Sequence, residues 1–341
     1  MTDRAAEGPG AQSPVAEGPY FDDLTHGDVF ETAPPATLTD GAAAVHAAIV
    51  GERLRLALDA DLSRHVTGEQ RPMAPPSLVW DLAIGQSTPV THHVKANLFY
   101  RGLAFRRAPT IGDTLHTRTK VVGLRQNTPR PDRAPTGLVA LRITTADQQD
   151  RTVLDFWRCA MLPLRDAAAR TGHTDDLAAV GRAVQEPGAV AAAWDLEPFR
   201  DTLPPALRRE VLPGTQWQVG GGDVVSSAPE LARLTLNVAR THHDDEAGTR
   251  LVYGGHTIGL ALTQAVRALP ELVTVLAWHG CDHTGPVREG DTLQSTVLVE
   301  DVQPGPAGGR LVHLRSRVTA RTGPADPPRD VLDWRYVGLL A

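Results

Sequence analysis

The sequence predicts an α+β protein made of two copies of one unit, each a long apolar helix followed by a run of antiparallel strands. The first observation is a repeat. Gly112-Asp113-Thr114-Leu115 returns as Gly290-Asp291-Thr292-Leu293, and Val153-Leu154-Asp155-Phe156 returns as Val331-Leu332-Asp333-Trp334, both at an offset of 178. Leu78–Gln86 aligns at that same offset with His256–Gln264. Three matches in one order at one spacing indicate duplication, and a repeat decides the architecture before any local reading does. The second observation is strict alternation: Val312, Leu314, Ser316, Val318 and Ala320 face one way, and His313, Arg315, Arg317, Thr319 and Arg321 the other. A period of two marks a half-buried antiparallel strand. The third is the stretch 255–269, where Ile258, Ala261, Leu262, Ala265, Val266 and Leu269 recur at helical spacing on one broad face. An apolar helix laid on a curved antiparallel sheet is the layer architecture that follows.

A chain of 341 residues has room for two such units. Residues 1–18, with Arg4, Glu7, Glu17 and scattered Gly and Pro, read as a disordered tail. The first unit spans 19–163, with helices at 40–50 and 76–88 and a Pro-rich loop at 125–136 between strands. Residues 164–192, rich in Ala, Gly and Asp, form a linker. The second unit spans 193–341, with helices at 228–238 and 255–269.

Composition narrows the function. Hydrophobic residues make up 41% and charged residues 22%, an ordinary globular balance. A net charge of −6 argues against binding nucleic acid through phosphate contacts. No stretch approaches the ~20 apolar residues of a membrane helix. The start lacks the basic and apolar regions of a signal peptide, so the chain reads as cytoplasmic. Cys159 and Cys281 are too few for a disulfide framework, and no Cys/His spacing resembles a metal site. Of 34 basic residues only Lys95 and Lys120 are lysines, so an anionic ligand must be held mainly by arginine.

Several segments resemble the MaoC-like acyl-CoA dehydratase superfamily in its double-hotdog form, two hotdog domains in tandem, each with a helix wrapped by antiparallel sheet. The opening Phe21-Asp22-Asp23-Leu24-Thr25-His26-Gly27-Asp28-Val29-Phe30 is similar to the start of that domain. The branch most resembled is mesaconyl-CoA hydratase, or β-methylmalyl-CoA dehydratase. Lys120-Val-Val-Gly-Leu-Arg-Gln-Asn127, Asn237-Val-Ala-Arg-Thr-His242, Val252-Tyr-Gly-Gly-His-Thr-Ile258 and His283-Thr284 carry that likeness, and uncharacterised actinobacterial double-hotdog proteins share it. The resemblance covers about residues 19–341. It implies reversible hydration of a short or branched 2-enoyl-CoA, with mesaconyl-CoA the specific candidate. No metal or redox cofactor is implied, and coenzyme A enters only within the substrate. The partner implied is the thioester, with no nucleic acid or membrane, and a homodimer is admitted.

In the superfamily's motif an Asp, followed five residues later by His, holds the attacking water while a glycine N–H polarises the thioester carbonyl. The matching positions are Asn237, His242 and Gly255. Histidine suits proton transfer near neutrality. Asn237 departs from the general Asp, and an amide can only orient the water or substrate. Residues five apart on a helix lie ~140° apart around its axis, so the 228–238 helix must end or bend between Val238 and Thr241 for both to face one site. Gly254 and Gly255 open a helix whose free N–H groups suit an oxyanion. His256 is a supporting candidate, Asp282 a candidate for the missing carboxylate, and His283 a substrate contact. Arg101, Arg106 and Arg107, with Lys95, are candidates for coenzyme A phosphates. The first copy has Val50-Gly-Glu-Arg-Leu-Arg55 in place of the Asn–His motif and Pro75-Pro76-Ser77 in place of Tyr253-Gly254-Gly255. Proline lacks the N–H the chemistry would use, so the first half reads as degenerate. An acyl-CoA-binding protein without turnover and a hotdog thioesterase are the alternatives.

Overall fold

The structure, a computed structural model, describes residues 17–182, 188–208, 210–243 and 250–341. The tail expected over 1–18 therefore lies mostly outside the described residues. Its last two positions are tied down: Glu17 pairs with Arg165 at 2.9 Å, and the Gly18 N–H donates to His92 Nδ1.

Among the described residues, four of the seven α-helices and eight long strands position the site. The first half holds α1 (Asp40–Val50), α2 (Pro76–Gln86), β1 (Ala96–Phe105), β2 (Thr114–Gln126), β3 (Thr136–Ala146) and β4 (Thr152–Pro163). The second holds α3 (Ala228–Leu234), α4 (Gly254–Ala268), β5 (Leu272–His283), β6 (Thr292–Pro304), β7 (Arg310–Arg321) and β8 (Arg329–Leu340). The long strands form one sheet in the order β2-β3-β4-β1-β5-β8-β7-β6, with short strands completing its edges. That order reads the same from either end, as a duplicated unit requires. The halves join where β1 pairs antiparallel with β5, Tyr100 opposite Cys281 and Arg101 opposite Gly280. The chain thus has the double-hotdog architecture the sequence predicts.

The repeated tetrapeptides are structural. Asp113 and Asp291 are buried at the starts of β2 and β6, after Gly112 and Gly290 at φ +95° and +87°. Each carboxylate closes its turn by accepting a backbone N–H three residues back, from Thr110 and Arg288. Asp155 and Asp333 each take a paired grip from an arginine on the neighbouring strand, Arg142 and Arg315. Gln86 and Gln264 each donate from α2 and α4 to the carbonyls of Leu115 and Leu293. The repeat is therefore a repeat of buried polar fasteners, which persist because an unpaired buried polar group is costly.

The alternation read in 312–320 is realised: Val312, Leu314, Ser316, Val318 and Ala320 are all buried. The helix α4 is enclosed further than one face. Every residue from Gly255 to Gln264 is buried, between the sheet and the helices of the first half. Trp80 of α2, Trp278 of β5 and Trp334 of β8 meet edge to face at the seam, with ring centroids 5.0–6.1 Å apart. Such pairs add about 0.5–1.5 kcal/mol each beyond their burial. The described part of the linker lies along the sheet, with Leu177 packed on Phe99, Leu138 and Cys159 and Asp175 accepting the Leu124 N–H.

Candidate active site

A cavity of about 330 Å³ opens between the N-terminus of α4, the segment after α3, the end of β5 and the inner face of β1 and β4. Asn237 and His242 both line it. The helix expected over 228–238 stops at Leu234, because Leu236 takes a left-handed φ of +60°. The chain then runs through a single helical turn at Arg240–His242. This break frees the two side chains from the ~140° separation of a continuous helix.

The first half places this segment. A Cβ at Gly85 would lie 1.8 Å from the Thr235 carbonyl oxygen, so only glycine lets the chain cross α2 there. The Val238 N–H donates to Thr88 Oγ1 and the Arg240 N–H to the His92 carbonyl. Asn237 is buried, its Oδ1 accepting the Ala239 N–H at 3.0 Å. Its Nδ2 has no partner within the described residues, so it is a donor awaiting an acceptor.

His242 Nδ1 lies 3.0 Å from the Leu251 carbonyl. A carbonyl only accepts, so the proton sits on Nδ1 and the Nε2 lone pair is left free. Burial pushes the imidazole down to about 4, with the charges of His243 and Arg158 adding to the effect. His242 is therefore neutral at pH 7. The Tyr253 ring meets it edge to face at 5.7 Å, and the Tyr253 hydroxyl donates to the Asp81 carbonyl of α2.

The two glycines of α4 divide. Gly254 lines the cavity, and a Cβ there would lie 2.5 Å from His283 Nε2. Gly255 is buried with its Cα against Asp81, where a Cβ would meet Oδ1 at 1.9 Å. So glycine is required at 255 by packing against the first half, and Gly254 is the one at the cavity wall. His283 lines the cavity with Nε2 unpartnered, and burial with the nearby His242 holds it at about 4.

Other expected residues lie elsewhere. Asp282 alternates with His283 along β5 and points to the outer face, into a groove with Arg101 and Arg335, so it cannot replace a carboxylate at Asn237. No Asp or Glu is among the residues lining the cavity. Arg101 donates to the carbonyls of Ala178 and Val180 on that outer face. Arg106 and Arg107 sit in a different cleft near Thr67 and Trp194, engaged with Asp155 and Asp147. Of the proposed phosphate cluster, Lys95 alone lines the cavity, exposed at its mouth. His256 is fully buried outside the cavity wall, with neither ring nitrogen partnered and its imidazole down at about 4 through burial. Among the described residues no three His, Cys, Asp or Glu side chains gather as a metal site would need.

The first half also contributes residues the sequence reading missed. Arg158 of β4, Tyr100 and Asn97 of β1, and Thr88 and Thr91 after α2 form one wall. The signal for Arg158 was available, since Leu154, Phe156, Arg158, Ala160 and Leu162 alternate inward and make an otherwise apolar face.

No family model matches the chain. A conserved Mycobacterium tuberculosis protein, described as having a double hotdog fold, is 55% identical with a TM-score of 0.88, covering 94% of this chain and 98% of that one. A putative MaoC domain dehydratase structure from Chloroflexus aurantiacus is 25% identical with a TM-score of 0.83, covering 96% of this chain and 99% of that one. Among curated proteins, the β-methylmalyl-CoA dehydratase of Chloroflexus aurantiacus is 28% identical over 95% of this chain and 97% of its own length. With more than half its residues shared along nearly its whole length with one double-hotdog protein, and with dehydratases of the same architecture beside it, the chain belongs to the MaoC-like double-hotdog family.

Proposed function

We propose that the chain catalyses the reversible addition of water to a 2-enoyl-CoA, giving a 3-hydroxyacyl-CoA. One observation carries the reading: a free Nε2 lone pair on neutral His242 and an unpartnered donor, Asn237 Nδ2, belong to side chains lining the same cavity. A water oxygen can accept from Asn237 while a water proton points to His242. His242 Nε2 takes that proton as the oxygen bonds to the β-carbon of the enoyl group. The π electrons move to the thioester, whose oxygen gains charge against the first-turn N–H groups of α4 at Gly254 and Gly255. The imidazolium then returns its proton to the α-carbon. Atoms and charges balance without a metal or redox group, and coenzyme A serves as the handle. A dehydratase named for β-methylmalyl-CoA among the relatives makes a short, branched acyl group the first candidate.

A thioesterase would need a general base or nucleophile poised at the carbonyl, commonly a carboxylate, and none lines the cavity. The test is mass spectrometry of 2-enoyl- and 3-hydroxyacyl-CoAs, mesaconyl-CoA included, after incubation with the protein and with His242→Ala. The expected result is an ~18 Da change, one water, that the variant abolishes. Free thiol release would indicate thioester hydrolysis, and binding without any product would indicate an acyl-CoA carrier.

A further inference from the structure

The cavity contains a buried cation with no acid to answer it. Arg158 is 3% exposed and lines the cavity wall. Its Nη2 donates to the Ser87 carbonyl at 2.9 Å and to Thr91 Oγ1 at 2.7 Å, both neutral acceptors. Its Nε has no partner, and it joins no ion pair among the described residues. Beside it, Asn97 lines the same cavity with both amide atoms unpartnered. By contrast Arg101 meets outer-face carbonyls, and Arg106, Arg107, Arg142, Arg165 and Arg315 each meet a carboxylate. A buried charge without a counter-ion is strongly unfavourable, so its place in the wall calls for an anionic partner supplied from outside the chain.

We propose that Arg158, with Asn97, recognises the free carboxylate that a mesaconyl- or β-methylmalyl-type acyl group carries, and is the pair that sets acyl specificity in this cavity. This rests on the reading of the site as an acyl-CoA cavity. Position separates the acyl carboxylate from the coenzyme A phosphates. Arg158 is buried on the inner face of β4, directly across from Tyr100 of β1, while Lys95 is exposed to solvent. An arginine fork fits a carboxylate edge-on with two parallel hydrogen bonds. The matching residue in the second half, 178 positions on, is Tyr336, whose hydroxyl lies 3.3 Å from Ser316 Oγ. The cation thus belongs to the wall of this one cavity and not to the duplicated scaffold.

The test compares paired thioesters that differ only in the carboxylate. Isothermal titration of succinyl-CoA against butyryl-CoA should show wild type binding succinyl-CoA at least thirtyfold more tightly, and Arg158→Gln should narrow that ratio to within about threefold. Arg158→Lys, which keeps a charge without the fork, should fall between. In turnover, mesaconyl-CoA should exceed 2-methylcrotonyl-CoA, which has a methyl where the carboxylate stands, by at least a hundredfold in kcat/KM. Arg158→Gln should lose at least thirtyfold more on the first than on the second. Equal binding of succinyl-CoA and butyryl-CoA by wild type overturns the proposal without any variant, and so does an equal loss on both members of each pair. If wild type discriminates in binding yet hydrates neither enoyl-CoA, the hydratase reading fails while carboxylate recognition stands.

Discussion

The two halves of the molecule share their fasteners and differ in their chemistry. Asp113 and Asp291, Gln86 and Gln264, and the pairs Arg142–Asp155 and Arg315–Asp333 do the same jobs at matching places. Around the cavity the match ends. Where α4 opens with Gly254 and Gly255, α2 opens with Pro76 and Ser77, and where β8 carries Tyr336, β4 carries Arg158. In the proposed reaction the second half provides the groups that move protons and the helix terminus for the thioester oxygen. The first half provides the wall that faces the acyl group and, through Gly85 and Thr88, the seat on which Asn237 rests. On that proposal the half without the Asn–His motif serves as a binding surface, and duplication separates the two tasks.

The largest way to break this division is at the proton-transfer group. His242→Ala should lower kcat/KM about 10³-fold, within the usual range for general acid–base catalysis, while the melting temperature moves little. Retention of more than a tenth of wild-type rate would place the base elsewhere, with His283 the next histidine in the cavity wall. Next comes the helix terminus. Gly254→Pro makes α4 begin as α2 does, with proline at the first helical position, where a helix tolerates it. Gly254→Ala adds the same Cβ against His283 but keeps the N–H. The proline variant should be slower than the alanine variant by about 10²-fold, the worth of one oxyanion donor. Equal rates would remove this N–H from the mechanism.

Acid stability sharpens the comparison from another side. The three histidines held at about 4 by burial, His242, His256 and His283, all belong to the second half. A free imidazole titrates near 6.5, so between pH 6.5 and 4 the unfolded chain binds protons that the folded chain refuses. Stability from this source is complete above 6.5 and is lost as pH falls toward 4. For His256 the loss between pH 7 and 5 is about 2 kcal/mol. His256 is not in the wall of the active-site cavity, and His256→Met should therefore lose about 2 kcal/mol less than wild type over that range in urea unfolding. An unchanged slope would mean that the folded protein accommodates the charged ring.

The fold was legible because duplication and strand alternation are properties of the backbone period, and the GDTL and VLDF/VLDW repeats are turns and ion pairs that must recur wherever the unit recurs. That Asn237 and His242 line one cavity was legible through the motif that joins them. The arginines were not. Arg101, Arg106 and Arg107 cluster in sequence, yet β1 alternates and ends there, which sends Arg101 to the outer face and the other two beyond the sheet. Arg158 stands alone in sequence and reaches the site only because β4, β1 and β5 lie side by side, placing Arg158 and Tyr100 on the face from which His283 also projects. The packing demand at Gly255 was hidden for a similar reason: the contact that requires glycine there, Asp81, comes from the other half.

The finest test concerns Asn237, where the superfamily motif has Asp. Its Oδ1 is committed to the Ala239 N–H, so what it offers the cavity is a donor, and it cannot act as a base. Asn237→Asp preserves the accepting oxygen and substitutes a second, charged acceptor for the donor. Water then loses the hydrogen bond that orients its oxygen, and kcat/KM should fall about tenfold, roughly the net worth of one neutral hydrogen bond. The new carboxylate would also favour the imidazolium form of His242, raising its pKa from about 4 toward the ordinary histidine value. The acidic limb of the pH–rate profile should accordingly move to higher pH, whereas in wild type the rate should hold until the pH nears 4. A variant that is as fast as wild type with its limb unmoved would show that the amide's donor plays no part. A faster variant would mean that this enzyme works below the rate its own scaffold permits, with Asn237 kept for the ligand it orients.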